Sequence, residues 1–180
     1  ELARTGLDTD VINAVLEEDG ILYAATDSGI AAIDMSDRRN ISNSFTDSFS
    51  SRRITDIISY NGSKHVAVYG QGVYSESGEL IVDAAKISRL QVVDGMLYVL
   101  TDDGCIVYDG KNVAAVYDKA MGMYNTEAAS VIYGSFGRQT QDKLYIASHG
   151  AGIFVFADGK LEANIDENYG LPSKNVNALA

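Results

Sequence analysis

Short apolar runs alternate with turn residues along the whole chain and predict an all-β protein. Three runs share a pattern of Leu-Tyr, then small or apolar residues, then a hydroxyl residue: Ile21–Thr26, Met96–Thr101 and Lys143–Ser148. Each of these runs is followed by a glycine and a second apolar run, and the three glycines are Gly29, Gly104 and Gly152. A fourth, degenerate copy of the pattern has its glycine at Gly72. Their irregular spacing of about 41 residues lies in the range of four-stranded propeller blades. A β-sandwich also has short strands and regular turns, but the repeated pattern favours consecutive β-propeller blades.

Each repeat is predicted to contain four short strands, A to D. In the first repeat these are Val11–Leu16, Ile21–Thr26, Gly29–Asp34 and Ile41–Phe45. Asn-Gly and Asp-Gly pairs, such as Asn61-Gly62 and Asp94-Gly95, are typical of tight hairpins. Such short strands and turns leave no room for parallel crossovers and predict an antiparallel meander. No segment predicts a convincing helix, and helical periodicity over Asp83–Leu90 is too short to count.

The repeats place one partial β-propeller domain over residues 1–180. The approximate blades are residues 6–49, 50–83, 84–120 and 121–168, with 170–180 starting a further blade. Gly6–Ala14 aligns without a gap to Gly170–Ala178, so both ends carry a strand A. An open stack of blades leaves apolar faces exposed, which repeat proteins avoid by capping or closure. We therefore expect a piece of a longer propeller, and two copies of the chain could form a homodimer that completes eight blades.

Charge narrows the classes of partner. The net charge of -11 makes nucleic acid and anionic membrane poor partners, because both need a basic surface. No apolar run is long enough to span a membrane, and the first residues do not form a signal peptide. The single cysteine, Cys105, lies inside an apolar run and is expected to be a buried small hydrophobe.

The sequence contains no catalytic motif, and we expect no catalytic residue, no metal site and no cofactor. Gly70-Gln71-Gly72 and Gly150-Ala151-Gly152 precede strands rather than helices, so they indicate turns and not phosphate loops. His65 and His149 are far apart in sequence and lack ligand-spaced partners. The acidic pairs do not have calcium-loop spacing.

Topology predicts where a ligand would bind. In an A–B–C–D meander the D-to-A and B-to-C connections lie at the same end of the sheet, and longer loops are the better binding elements. This end includes Asp8, Asp10, Ser28, Lys174 and Asn175. The candidate binding residues at the same end are Asp27, Arg52, Arg53, Gln71, Asp102, Asp103 and His149.

Residues 170–178, Gly-Leu-Pro-Ser-Lys-Asn-Val-Asn-Ala, resemble the repeat of the two-component regulator propeller family, and segments 22–30, 97–105 and 144–153 resemble its second half. Tyr23, Tyr98 and Tyr145 stand where the family usually has Trp. The resemblance implies a propeller, usually of seven blades, in the extracytoplasmic sensing region of a bacterial membrane protein with a histidine kinase, diguanylate cyclase or similar output domain.

Three functions remain open from the sequence. The first is a non-catalytic sensing module that binds a small ligand or a protein in bacterial signal transduction. The second is a scaffold propeller that binds another protein through its loops. The third is a piece of a propeller enzyme, such as a lyase or glycosidase.

Overall fold

The computed structural model describes residues 11–41, 43–124 and 127–180. These residues form two compact units, one up to Ile87 and one from Ser88. The first unit holds two four-stranded sheets and the second unit holds two more, each with its strands in sequence order. The predicted all-β class and the antiparallel meanders are confirmed.

The strands of the first unit are β1 Ile12–Glu18, β2 Ile21–Thr26, β3 Gly29–Asp34, β4 Arg39–Ile41, β5 Ile54–Tyr60, β6 Ser63–Val68, β7 Gly72–Ser75 and β8 Leu80–Val82. The strands of the third and fourth sheets are β9 Ile87–Val93, β10 Met96–Thr101, β11 Gly104–Tyr108, β12 Val113–Asp118, β13 Ala128–Gly134, β14 Lys143–Ser148, β15 Gly152–Ala157 and β16 Lys160–Ile165. A short helix, α1, spans Ser44–Ser48, and single 3₁₀ turns span Lys119–Met121 and Glu167–Tyr169.

Tight hairpin turns join many of the strands. At Asn61-Gly62 and Asp94-Gly95, both residues have positive φ, between 49° and 72°. Positive φ at both central residues defines the type I′ turn, whose twist matches that of paired antiparallel strands. These dipeptides therefore fix the register of the hairpins, as the sequence indicated.

The repeated hydroxyl residue closes the turn between the second and third strands of a sheet. Its side chain donates a hydrogen bond to the carbonyl oxygen of the repeat glycine: Thr26 to Gly29 at 2.9 Å, Thr101 to Gly104 at 3.1 Å and Ser148 to Gly152 at 3.1 Å. We call this contact the hydroxyl latch. In the second sheet Val68 pairs with Gly72 in the same register, and the latch is missing from that copy.

Each unit has its own hydrophobic core, and the second strand of each sheet is buried on both faces. In the first unit the core includes Phe49, Ile54 and Val66, all fully buried. In the second it includes Ile146 and Phe154. Burial on both faces explains why these strands have continuous apolar runs rather than alternation.

The predicted strand Ile41–Phe45 is wrong. β4 ends at Ile41, and α1 begins at Ser44. The side chain of Asn43 accepts a hydrogen bond from the Thr46 N–H at 3.0 Å, and Thr46 Oγ1 accepts one from the Asn43 N–H at 3.1 Å. This capping box starts the helix. Phe45 of the helix and Phe49, which follows its last residue, pack into the core and form an edge-to-face pair.

Other strand ends differ less from the prediction. β1 runs from Ile12 to Glu18 rather than over Val11–Leu16. The rejection of a helix over Asp83–Leu90 is confirmed, because β9 begins at Ile87 and no helix lies in that range. Asp8, Asp10 and most of the Gly6–Ala14 repeat lie outside the described residues.

The C-terminal segment, residues 171–180, is bound through its backbone to the fourth sheet. The Gly152 N–H donates to the Lys174 carbonyl at 2.8 Å, and the Val176 N–H donates to the Ser148 carbonyl at 3.1 Å. The segment contains no strand of its own. Its assignment to a further blade, like the blade boundaries, stays a prediction. Across the described ranges, the helices are too short to cross a membrane.

Candidate functional site

The connections at one end of each sheet contact each other through backbone hydrogen bonds. In three sheets a turn between the second and third strands bonds to the segment that follows the fourth strand: Ser51 N–H to Ser28 O, Gly70 N–H to Ala85 O and Gly150 N–H to Lys174 O. The two kinds of connection therefore meet as the topology predicted. We call this end of each unit its loop face.

On the loop face of the first unit, four of the predicted binding residues lie together. Arg53 Nε is 3.1 Å from Asp27 Oδ1, and the Arg53 guanidinium lies 4.5 Å from the ring centre of Tyr69. The Arg52 guanidinium donates to Gln71 Oε1 at 3.5 Å. We call Asp27, Arg52, Arg53, Tyr69 and Gln71 the arginine cluster.

Neighbouring side chains hold the arginine cluster in place. The Arg52 guanidinium lies 5.2 Å from the ring centre of Tyr74 and 5.7 Å from that of Phe49, within the range of cation–π attraction. Asn13 donates to Asp27 Oδ1 at 2.9 Å and to the Ile54 carbonyl at 2.7 Å. Arg52 is thus oriented by two aromatic rings and by Gln71, and Arg53 by the Tyr69 ring and by the carboxylate of Asp27.

On the loop face of the second unit there is a pocket of about 280 Å³ that is open to solvent. The beginnings of β9 and β13, the turn before β15 and the C-terminal segment surround it. Its lining residues are Ser88, Arg89, Ala128, Ala129, His149 and Asn177.

Two hydrogen bonds fix the strands on either side of this pocket. Ser88 Oγ lies 3.2 Å from the carbonyl oxygens of both Leu100 and Ala128, to which it donates. Gln91 Oε1 accepts a hydrogen bond from the Val131 N–H at 2.8 Å. Because side chains of β9 bond to the backbone of β13, the pocket walls are held at a defined separation.

His149 has an acidic neighbour at the edge of the pocket. Its Nδ1 lies 3.2 Å from Glu127 Oε1, and its backbone N–H donates to the Glu127 carbonyl at 3.0 Å. In a neutral imidazole, a hydrogen on Nδ1 would bond to this carboxylate and Nε2 would be the acceptor. Glu127 therefore orients the imidazole at the edge of the pocket.

The structure groups the predicted residues into two places and leaves two apart. Asp27, Arg52, Arg53 and Gln71 belong to the arginine cluster, and His149 lines the pocket. Asp102 and Asp103 lie in the turn closed by a hydroxyl latch, where the Asp103 N–H donates to Thr101 Oγ1 at 3.2 Å, and they are not among the residues that line the pocket. Whether any of these residues binds a ligand stays a prediction.

Sequence reasoning missed the three other polar residues that line the pocket: Ser88, Arg89 and Asn177. A usable signal was present, because strand A of a meander begins at the loop face. The first residues of each strand A therefore lie at the loop face, next to the connection that precedes them. Ser88 and Arg89 are the second and third residues of β9.

Two other side chains that could be reactive, His65 and Cys105, are buried. His65 is buried against Tyr60, and burial lowers its pKa. Burial also raises the pKa of the Cys105 thiol, which keeps it protonated and unreactive. Within residues 11–41, 43–124 and 127–180, no three His, Cys, Asp or Glu side chains are grouped as metal ligands.

Neither a protein-family model nor a curated protein matches the chain. Solved structures do match. The extracellular domain of BT3049 from B. thetaiotaomicron, assigned as a hybrid two-component system, is 16% identical with a TM-score of 0.68, and the match covers 97% of this chain and 25% of that one. The extracellular domain of BT4673 from the same organism, also assigned as a hybrid two-component system, is 15% identical with a TM-score of 0.64. That match covers 94% of this chain and 24% of the BT4673 chain.

A computationally designed protein, Ika4, is similar as well. It is 11% identical with a TM-score of 0.59, and the match covers 84% of this chain and 93% of that one. The chain spans about a quarter of the length of the two B. thetaiotaomicron domains. At these identities the likeness concerns the fold. The chain thus has the β-propeller fold predicted from its repeats, and it is similar in fold to the extracellular domains of two-component signalling proteins.

Proposed function

We propose that the chain is a non-catalytic sensing module, a part of an extracytoplasmic β-propeller in a bacterial signal-transduction protein, and that it binds its ligand at the loop face. The observation that carries the proposal is the open pocket of about 280 Å³ on the second unit. Small-ligand sites are usually concave, and a small number of placed polar groups orient the ligand in them.

The comparisons support the signalling part of the proposal by analogy of fold. Two of the similar structures are extracellular domains of proteins assigned as two-component systems. A fold by itself does not fix a function, so the argument must come from the site. The pocket supplies it, because two of its polar groups, Ser88 and His149, are held in place by other residues of the protein.

The chemistry of the reactive residues supports a binding role rather than catalysis. The Cys105 thiol is fully buried with a raised pKa, which is the opposite of what a nucleophile needs. His65 is buried against an aromatic ring, and His149 stands at the pocket edge with a single carboxylate beside it. A lyase or glycosidase would need more acid–base groups converging on one point than this pocket provides.

Thermal unfolding with a solute panel tests the binding proposal. The panel contains neutral sugars, amino acids, organic acids and inorganic anions, each at matched ionic strength. We expect at least one class to raise the melting temperature of the wild type and not that of His149→Leu. Tyr169→Leu is the control, because Tyr169 is 72% exposed and does not line the pocket. A panel without any stabilising solute would contradict the proposal.

The parent gene offers a second test. A membrane segment and a signalling output domain encoded beside this chain would support an extracytoplasmic sensor. A parent gene that encodes neither would favour a scaffold protein instead.

The arginine cluster favours a second candidate, a protein-binding scaffold. Tyr69 is 43% exposed with the Arg53 guanidinium against its ring. Arg and Tyr are enriched among the residues that dominate protein interfaces. If a protein binds here, a partner captured from the native host and identified by mass spectrometry should be lost with Tyr69→Ala and kept with Tyr169→Ala. Equal recovery with both variants would count against this candidate.

A further inference from the structure

The most unusual side chain in the pocket of the second unit is Arg89. The Arg89 side chain forms no hydrogen bond, ion pair or ring contact with the residues that the structure describes. Arg52 and Arg53, by contrast, are engaged by aromatic rings and polar side chains. A guanidinium carries five N–H donors in a planar fork, and all five of Arg89 are available to a ligand.

The other lining residues restrict what that ligand is. The described residues that line the pocket include no carboxylate, so nothing in the wall itself competes for Arg89. The Ser88 hydroxyl donates its hydrogen to backbone carbonyls. Arg89 and the Asn177 amide are therefore the side chains that can donate hydrogen bonds to a ligand. Ala128 and Ala129 add a small apolar surface.

The size of the pocket sets an upper limit on the ligand. A volume of about 280 Å³ corresponds to about nine water molecules at ~30 Å³ each. This space accepts one small solute or one terminal group of a larger molecule. The imidazole of His149, oriented by Glu127, adds an acceptor for a hydroxyl group at the same edge.

We infer that this pocket is an oxyanion site, in which Arg89 binds a carboxylate, sulfate or phosphate group of a small solute. A planar guanidinium binds such groups through two parallel hydrogen bonds, which are stronger than hydrogen bonds between neutral groups. The inference rests on the proposed function, because it names the ligand class of the same pocket. In a protein of net charge -11, Arg89 supplies a positive charge for the anion at the pocket wall.

Calorimetry and thermal unfolding of the whole chain test the inference with defined probes. These are sodium sulfate, sodium phosphate and sodium glucuronate, with glucose as the neutral counterpart of glucuronate and sodium chloride at matched ionic strength. We expect at least one oxyanion to bind and to raise the melting temperature by about 3 °C at ten times its Kd. Binding of glucuronate but not of the inorganic ions identifies an organic acid as the source, and the reverse result identifies a free anion.

Arg89→Gln should weaken that binding about tenfold or more, because a hydrogen bond to a charged group is lost. Arg138→Gln is the matched control: Arg138 is exposed in the connection between β13 and β14, at the end of the sheet opposite the loop face. Since Arg89 has no described partner, Arg89→Gln should unfold at the wild-type temperature when no probe is present.

Two results would overturn the inference and leave the proposed function standing. One is binding of glucose as tight as that of glucuronate, with Arg89→Gln unaffected. The other is an equal rise in melting temperature with sulfate for the wild type and Arg89→Gln, which is the general effect of an excluded salt. If no probe and no member of the wider solute panel binds, both the inference and the proposed pocket function fail.

Discussion

At the scale of single residues, the glycine that begins the third strand of a sheet tolerates the least change. Gly104 has φ +136°, a conformation that L side chains rarely adopt, and a Cβ placed on it would overlap the Tyr117 carbonyl oxygen. The same overlap occurs between Gly72 and Val82 and between Gly152 and Ile165. The fourth strand approaches the third so closely at this point that a side chain has no room.

We expect Gly104→Ala to lower the free energy of unfolding by about 3 kcal/mol, through backbone strain and overlap together. Gly95→Ala is the control, because Gly95 has φ +72° but open space around its Cβ position. Gly95→Ala should lower the free energy of unfolding by about 1 kcal/mol, because only the left-handed backbone conformation disfavours the alanine. Urea unfolding measures both values, and equal losses would show that the close approach does not limit position 104.

At the scale of elements, a buried lysine joins three parts of the first unit. Lys64 Nζ, at the start of β6, lies 2.7 Å from Glu18 Oε2 in β1 and 2.9 Å from Glu76 Oε1 just after β7. The rings of Tyr23 and Phe45 lie within 5.6 Å of the same nitrogen. Burial alone would lower the pKa of Lys64, but the hydrogen bonds that it donates to the two carboxylates outweigh this effect, and the pKa is raised.

The pKa values of Glu18 and Glu76 shift in the direction opposite to that of Lys64. The hydrogen bond from Lys64 is the main cause that lowers the pKa values of Glu18 and Glu76 below the ordinary 4.5. A lowered carboxyl pKa stabilises the fold above the unfolded-state value, and this contribution is lost as the pH falls through the folded-state value. The raised lysine pKa stabilises the fold below 10.5, and that contribution is lost only as the pH rises through its folded-state value.

Lys64→Met should therefore lower the free energy of unfolding by about 2 kcal/mol at pH 7, because it leaves two partly buried carboxylates without their cation. The difference from the wild type should shrink as the pH falls below 4, where the carboxylates become protonated. Lys143→Met is the control, since Lys143 pairs with the single carboxylate of Glu162 at 2.7 Å. Chemical denaturation from pH 3 to pH 8 measures the effect, and a difference independent of pH would contradict it.

The elements were predictable where local chemistry fixes them. Asp94-Gly95 needs no tertiary contact to specify its hairpin, and the pattern from Thr101 to Gly104 specifies the next turn. Helix α1 was not predictable, because its five residues are helical only when Phe45 is packed into the core. Ile41 and Phe45 favour a strand by propensity, and tertiary packing overrides that preference.

The candidate site shows the same division. The connections of the loop face follow from strand order alone, so Arg52, Arg53 and His149 could be placed there from the sequence. Arg89 could not be singled out, because its distinguishing property is the lack of a partner among the described residues, which only the folded structure reveals.

At the scale of the whole molecule, exposed apolar side chains bear on self-association. On β1, Ile12 is 51% exposed and Val15 is 59% exposed. We expect the chain to form a homodimer, with light scattering giving a mass near twice 19.3 kDa. Val15→Lys should shift the population toward the monomer if this apolar strand contributes to the contact. A monomer at every concentration of the wild type would contradict the expectation.

The hydroxyl latch has a consequence for how such proteins change over evolutionary time. Every partner of the latch at Thr101 lies within the next three residues, and the carbonyl that excludes a side chain from Gly104 belongs to the same sheet. A gene segment of about forty codons therefore carries all the residues that close this turn, so the turn is preserved when the segment is duplicated. The second repeat shows how far one copy can differ from the others: Val68 stands where they have a hydroxyl residue, while Gly72 is present.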